Sequence, residues 1–124
     1  MDIQYKYQFK TLSVTLPAND TQASKTIELP KGLSIAAAAK PNRALDKILN
    51  LGLYEQGQEI NTPIDINFWR DREIGNHMID GFVPVNSDGS SELEAKIIAP
   101  NGSFTSAITV QIVFVVKQDA VCHI

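Results

Sequence analysis

The chain is poor in the residues from which catalytic and metal sites are built. Its 124 residues include one cysteine, two histidines and one tryptophan, and aromatics make up only 7%. A single thiol, Cys122, forms no intramolecular disulfide framework and supplies too few ligands for a structural zinc site. It reads as a bystander on the tail, consistent with a reducing compartment. His77 and His123 have no second ligand type at metal spacing. Asp71, Glu73 and Asp80 near His77 are the composition of a solvated loop rather than of a metal centre. No nucleophile elbow, phosphate-binding glycine loop or zinc-protease helix motif is present. Asp65 and Asp88 are available as carboxylates for spatially assembled acid–base work, but no pattern singles them out. The expectation is a protein that is not an enzyme and takes no cofactor.

Long apolar runs are missing too. None reaches the ~18 residues of a membrane helix, and Met1–Gln8 alternates polar and apolar residues instead of forming the core of a signal peptide. The expectation is a product of the cytoplasm that makes no membrane contact. The formal net charge of −3 disfavours a nucleic-acid surface, which needs clustered Lys and Arg. That charge is unevenly spread: residues 1–47 carry seven basic and four acidic side chains, residues 48–124 four and ten. A polarised subunit favours head-to-tail association unless the fold mixes the two halves on one surface.

What is present is β-sheet chemistry. Residues 104–117 are rich in Val and Ile and lack Pro and Gly, so they predict a strand. From Ile112 to Val116 both faces are apolar, which requires cover on both sides. Ile3, Tyr5, Tyr7 and Phe9 alternate with polar residues, and Leu12, Val14 and Leu16 alternate in the opposite phase. That flip predicts a bulge or a change of sheet near Lys10–Thr11. Pro17–Asp20 is turn chemistry, with residues 25–29 returning as the second arm of a hairpin. Pro30–Gly32, Glu55–Gln58 and Asn86–Ser91 are further turns. Residues 33–40 read as a strand with small side chains, and Pro41 limits any helix there. One short helical turn is expected near residues 44–49, with Asn42 as N-cap, leading into a strand through Tyr54. Pro63 breaks the next run, and Ile64–Trp69 reads as a two-faced strand. Residues 70–81 read as a loop, and residues 92–99 pair with 108–117 across Pro100–Gly102. Together these predict one domain over residues 1–124, an antiparallel β-sandwich or jelly roll of roughly eight strands.

Candidate contact residues follow from this strand reading. If Ile64, Ile66 and Phe68 face the core, then Asp65, Asn67 and Trp69 face outward together. Three roles are open for Trp69: an anchor in the core or under the 70–81 loop, a protein interface with Arg70 and Arg72 beside it, or a sugar-stacking platform. Tyr5 and Tyr7 read most simply as core, and alternatively as part of an arm that reaches a neighbour by strand addition.

The stretches Thr26–Gly32, Leu51–Gly57, Ile64–Trp69 and Val110–Lys117 resemble those of small β-sandwich virion proteins of tailed bacteriophages. These are proteins of the decoration, auxiliary capsid or head–tail connector type. The resemblance spreads over most of the chain and rests on strand-and-turn patterns; it carries no catalytic residues. It implies a structural subunit of a particle, located in the virion and contacting other structural proteins and itself. The alternative reading is a carbohydrate-binding module built on Asp65, Asn67 and Trp69.

Overall fold

The computed structural model describes residues 5–69 and 82–119. Eight strands form two four-stranded antiparallel sheets: β1 (Tyr5–Leu16), β2 (Gln22–Glu28), β3 (Ser34–Pro41), β4 (Asn50–Glu55), β5 (Gln58–Asp65), β6 (Val83–Val85), β7 (Glu92–Ile98) and β8 (Ile108–Asp119). The first sheet has the order β1-β8-β3-β6 and the second β2-β7-β4-β5. The pairs β4/β5, β3/β6, β2/β7 and β1/β8 are therefore nested, as if one long hairpin had been rolled into two layers. That is the strand order of a jelly roll. The all-β sandwich expected from the sequence is the fold of the chain.

The core lies between the layers. Leu12, Val14 and Leu16 from β1, Ile35, Ala37 and Ala39 from β3, and the even-numbered residues of β8 from Ile108 to Val116 supply one side. Leu51 and Leu53 from β4 and Leu93, Ala95 and Ile97 from β7 supply the other. Strand alternation puts every second residue inward, and β-branched or aliphatic residues occupy those positions. Val115 faces the opposite way from Phe114 and Val116, yet all three are fully buried. The both-faces-apolar pattern of Ile112–Val116 reflects that burial.

Rolling the hairpin overturns two expected pairings. Residues 17–20 do form a turn, with Asp20 N–H donating to Pro17 O. However, β1 and β2 lie in different sheets, so the turn joins layers and is not a hairpin loop. The same holds for β7 and β8, which pair with β2 and β4 and with β1 and β3 respectively. Turn chemistry specifies a change of direction and leaves the partner strand open, because hydrophobic burial decides which strands meet.

Three local expectations are also corrected. β1 pairs with β8 in unbroken register from Tyr5↔Asp119 to Leu16↔Ile108, so there is no bulge at Lys10–Thr11. The phase flip instead marks where the strand outruns the core: Tyr7 and Phe9 face outward, 41% and 47% exposed. Residues 42–49 contain no helical turn. Asn42 Oδ1 accepts from Thr109 N–H, and Lys47 Nζ donates to Ser103 O. The Asn42 side chain that would cap a helix is thus tied across to β8. Finally, β5 runs through Pro63, which the register tolerates because β5 is an edge strand with two irregularities opposite β4.

The Pro30–Gly32 and Asn86–Ser91 turns lock together. Gly32 N–H donates to Asp88 O and Ser90 N–H to Leu29 O. Gly89 sits at φ +84° with space for no side chain: a Cβ there would lie 2.2 Å from Pro30 O. Gly57 also has positive φ, in the β4–β5 turn, but nothing lies within 4 Å of its would-be Cβ. Gly89→Ala is therefore expected to destabilise by about 2–4 kcal/mol, combining backbone strain and overpacking. Gly57→Ala should lose only about 1 kcal/mol. Urea denaturation of the two variants beside the parent checks the ordering, and equal losses would contradict the locked turn.

Candidate functional site

The segment expected to carry an outward Trp/Asp/Asn trio has a different geometry. Ile66–Trp69 is a single 3₁₀ turn rather than the end of a strand. Asp65 Oδ1 accepts from Asn67 N–H at 3.0 Å, the local bond with which an Asp starts a turn. In a 3₁₀ turn residues three apart eclipse, so Ile66 and Trp69 share a side. Both are buried, Trp69 fully, while Phe68 is 57% exposed and Ile64 is also exposed. The period of two predicted the reverse. Asp65 before Asn67 was the available sequence signal, and the alternation around it masked that signal.

Trp69 is a core anchor. Its indole N–H donates to Leu51 O at 3.1 Å, so the large ring is buried with its one polar atom satisfied. The 3₁₀ turn packs against β3 and closes the side of the sandwich beside β5. A ring held this way is not presented for stacking on a sugar. Asp65 is half-buried and Asn67 is exposed, with Asp65 turned to its own backbone. The trio is not brought together as one face. Arg70 and Arg72 lie outside the described residues, as does the 70–81 loop.

The exposed apolar residues collect elsewhere. Tyr7 and Phe9 lie on the outward face of β1, and Tyr5 precedes them in the same strand, described by its backbone alone. Phe9 is opposite Val115, which is opposite Ala36, itself opposite Pro84 of β6. This makes an apolar row across all four strands of the first sheet, in which Val115 and Ala36 are buried and Phe9 is exposed. Leu33 is the most exposed large apolar side chain, at 61%. With Lys6, Lys31, Gly32 and Gln118 it lines a surface groove beside the start of β1.

β1 itself is an edge strand of 12 residues, hydrogen-bonded within the sheet to β8 alone. An edge presents unpaired N–H and C=O groups, and folds ordinarily guard them. β6 is guarded by being three residues long, β5 by Pro63 and its register shifts, and β2 by Lys25 at an inward position opposite Ala95. From Thr11 to Leu16, β1 has no charge, no proline and no bulge. The second surface of note is the outward face of the other sheet. Glu28 is opposite Glu92, and Thr26, Glu94, Tyr54 and Glu59 form the adjacent row. Lys96 Nζ lies 5.0 Å from the centre of the Tyr54 ring.

Among the described residues no group of three or more His, Cys, Asp or Glu side chains could hold a metal ion. Among the same residues no helix is long and apolar enough to cross a membrane. No family model, curated protein or solved structure matches the chain.

The anchor role of Trp69 has a direct check. Trp69→Ala should lose about 3–5 kcal/mol, the usual range for a large buried aromatic. Trp69→Phe should lose less, about 1–3 kcal/mol, since it removes the indole bond to Leu51 O and keeps most of the buried ring. Emission of this sole tryptophan should be blue-shifted and unmoved by added glycans. A red, glycan-sensitive emission would contradict the buried ring.

Proposed function

We propose that the chain is a non-enzymatic structural subunit of a tailed-phage-like particle, assembling through protein–protein contacts with itself and with other structural proteins. The observation that carries this reading is the long β1 edge, unguarded from Thr11 to Leu16, with Tyr7 and Phe9 exposed on the strand just before that stretch. Such an edge is a template for strand addition by a neighbour, and the aromatic side chains add apolar area to the contact. Apolar surface contributes roughly 25 cal/mol per Å² removed from water. The jelly roll is an architecture that capsid proteins use, which supports the reading by analogy of fold. Lectins use it as well, but the glycan alternative depended on the Trp69 ring, and that ring is buried.

Static light scattering over a concentration series tests the proposal. The expected result is a mass that rises from monomer toward a defined oligomer or growing assembly. Phe9→Ser should shift that rise to about tenfold higher concentration, the equivalent of roughly 1.4 kcal/mol of lost contact. The variant should still unfold cooperatively, because Phe9 lies outside the core cluster. A strict monomer at every concentration would overturn self-assembly.

A further inference from the structure

The strands of the two sheets carry opposite charge. Those of the first sheet hold Lys6, Lys10, Lys40 and Lys117 and one acid, Asp119 at the end of β8. Those of the second hold Glu28, Glu55, Glu59, Asp65, Glu92 and Glu94 against Lys25 and Lys96. Each half of the sequence supplies strands to both layers, yet the charges on the strands sort by sign: three lysines of the first half lie on the first sheet and five acids of the second half on the second. Glu28 directly opposite Glu92 is unfavourable within one subunit, since like charges on paired strands repel. An acidic face kept at such a cost is well suited to a cationic partner.

The chain itself supplies a partner of that kind. Lys6 and Lys31 line one groove with the exposed Leu33, and Lys10 lies on the same face of β1 as Lys6, opposite to Tyr7 and Phe9. This is a basic patch around one large exposed apolar side chain, with no carboxylate lining its groove. Opposite it in charge is an open groove of about 520 Å³ on the second sheet, lined by Thr26, Tyr54, Gln56, Ser91, Glu92 and Glu94 among others. Resting on the assembly reading above, we infer that the basic patch of Lys6, Lys10, Lys31 and Leu33 beside the start of β1 of one copy docks on the acidic outer face of the second sheet of another copy. The contact joins two different surfaces of the same chain, so it is heterologous. Repeated, it generates a ring or a filament rather than a closed two-fold dimer. Patch against patch would bring lysines together, and face against face would bring glutamates together, so both isologous pairings are disfavoured.

Charge-reversed variants test the pairing. One carries Lys6→Glu and Lys10→Glu, the other Glu92→Lys and Glu94→Lys; all four side chains lie outside the core cluster. The expected result is that each variant alone associates at least about tenfold more weakly than the parent, because attraction across the contact becomes repulsion. Mixed one to one, the two should co-assemble in alternation, since the patch of each is opposite in charge to the face of the other. Association of the parent should also weaken as salt is raised from 50 to 500 mM. If the parent assembles but both variants assemble equally well alone, the pairing is overturned while the assembly reading stands. If the parent never assembles, both fall. Circular dichroism of each variant, expected to match the parent, separates lost contact from lost fold.

Discussion

Everything in this fold depends on β8 being buried from both sides. Both of its faces carry fully buried apolar side chains, with Phe114 and Val116 inward and Val115 outward. It is also held at both edges, by β1 along twelve residue pairs and by β3 along eight. A strand so constrained cannot slip by one residue without sending a row of aliphatic side chains into water. The Pro30–Gly32 turn closes its end, where a Cβ on Gly32 would meet Val116 Cγ1 at 2.3 Å and Leu33 N–H donates to Lys117 O. With β8 fixed, β1 has only one edge left to pair with β8, and its other edge remains at the rim of the sheet.

The sequence makes strand positions legible and strand partners less so. Alternation in Leu12–Leu16 and Leu93–Ile97 marks inward residues correctly, because one face meets a second sheet. The Gln56–Gly57 turn, with φ of 53° and 78°, connects adjacent strands as its chemistry demands. Pro17–Asp20 and Pro100–Gly102 look similar on paper but span the gap between layers. Nothing local distinguishes the two cases, since the choice rests on which faces can be buried together. Small side chains over Ala36–Ala39 were ambiguous between helix and strand for the same reason. Their pairing with β8 settles the matter.

The candidate site was legible only in part. Tyr7 lay within a pattern that reads as core or as an arm, and its outward position follows from a register continued past the end of the core. Trp69 was misplaced because the period changes from two to three at Asp65, where one side-chain hydrogen bond starts a 3₁₀ turn. The charge asymmetry between the sequence halves was visible, but its sorting onto two layers depends on the nested pairing. Together these features describe a sandwich whose interior is closed and whose rim is open. The polar groups of its core are satisfied, with no buried side-chain donor or acceptor left without a partner among the described residues. What remains exposed along β1 is backbone and aromatic surface of the kind a second chain can cover.

Amide hydrogen exchange along β1, followed at low and high protein concentration, tests that central claim most directly. The account predicts that amides on the free side of residues 11–16 exchange quickly when the protein is dilute and become protected as it is concentrated, while β8 amides stay protected throughout. Exchange along β1 that is already slow in dilute solution, or that does not change with concentration, would contradict an edge open to a partner.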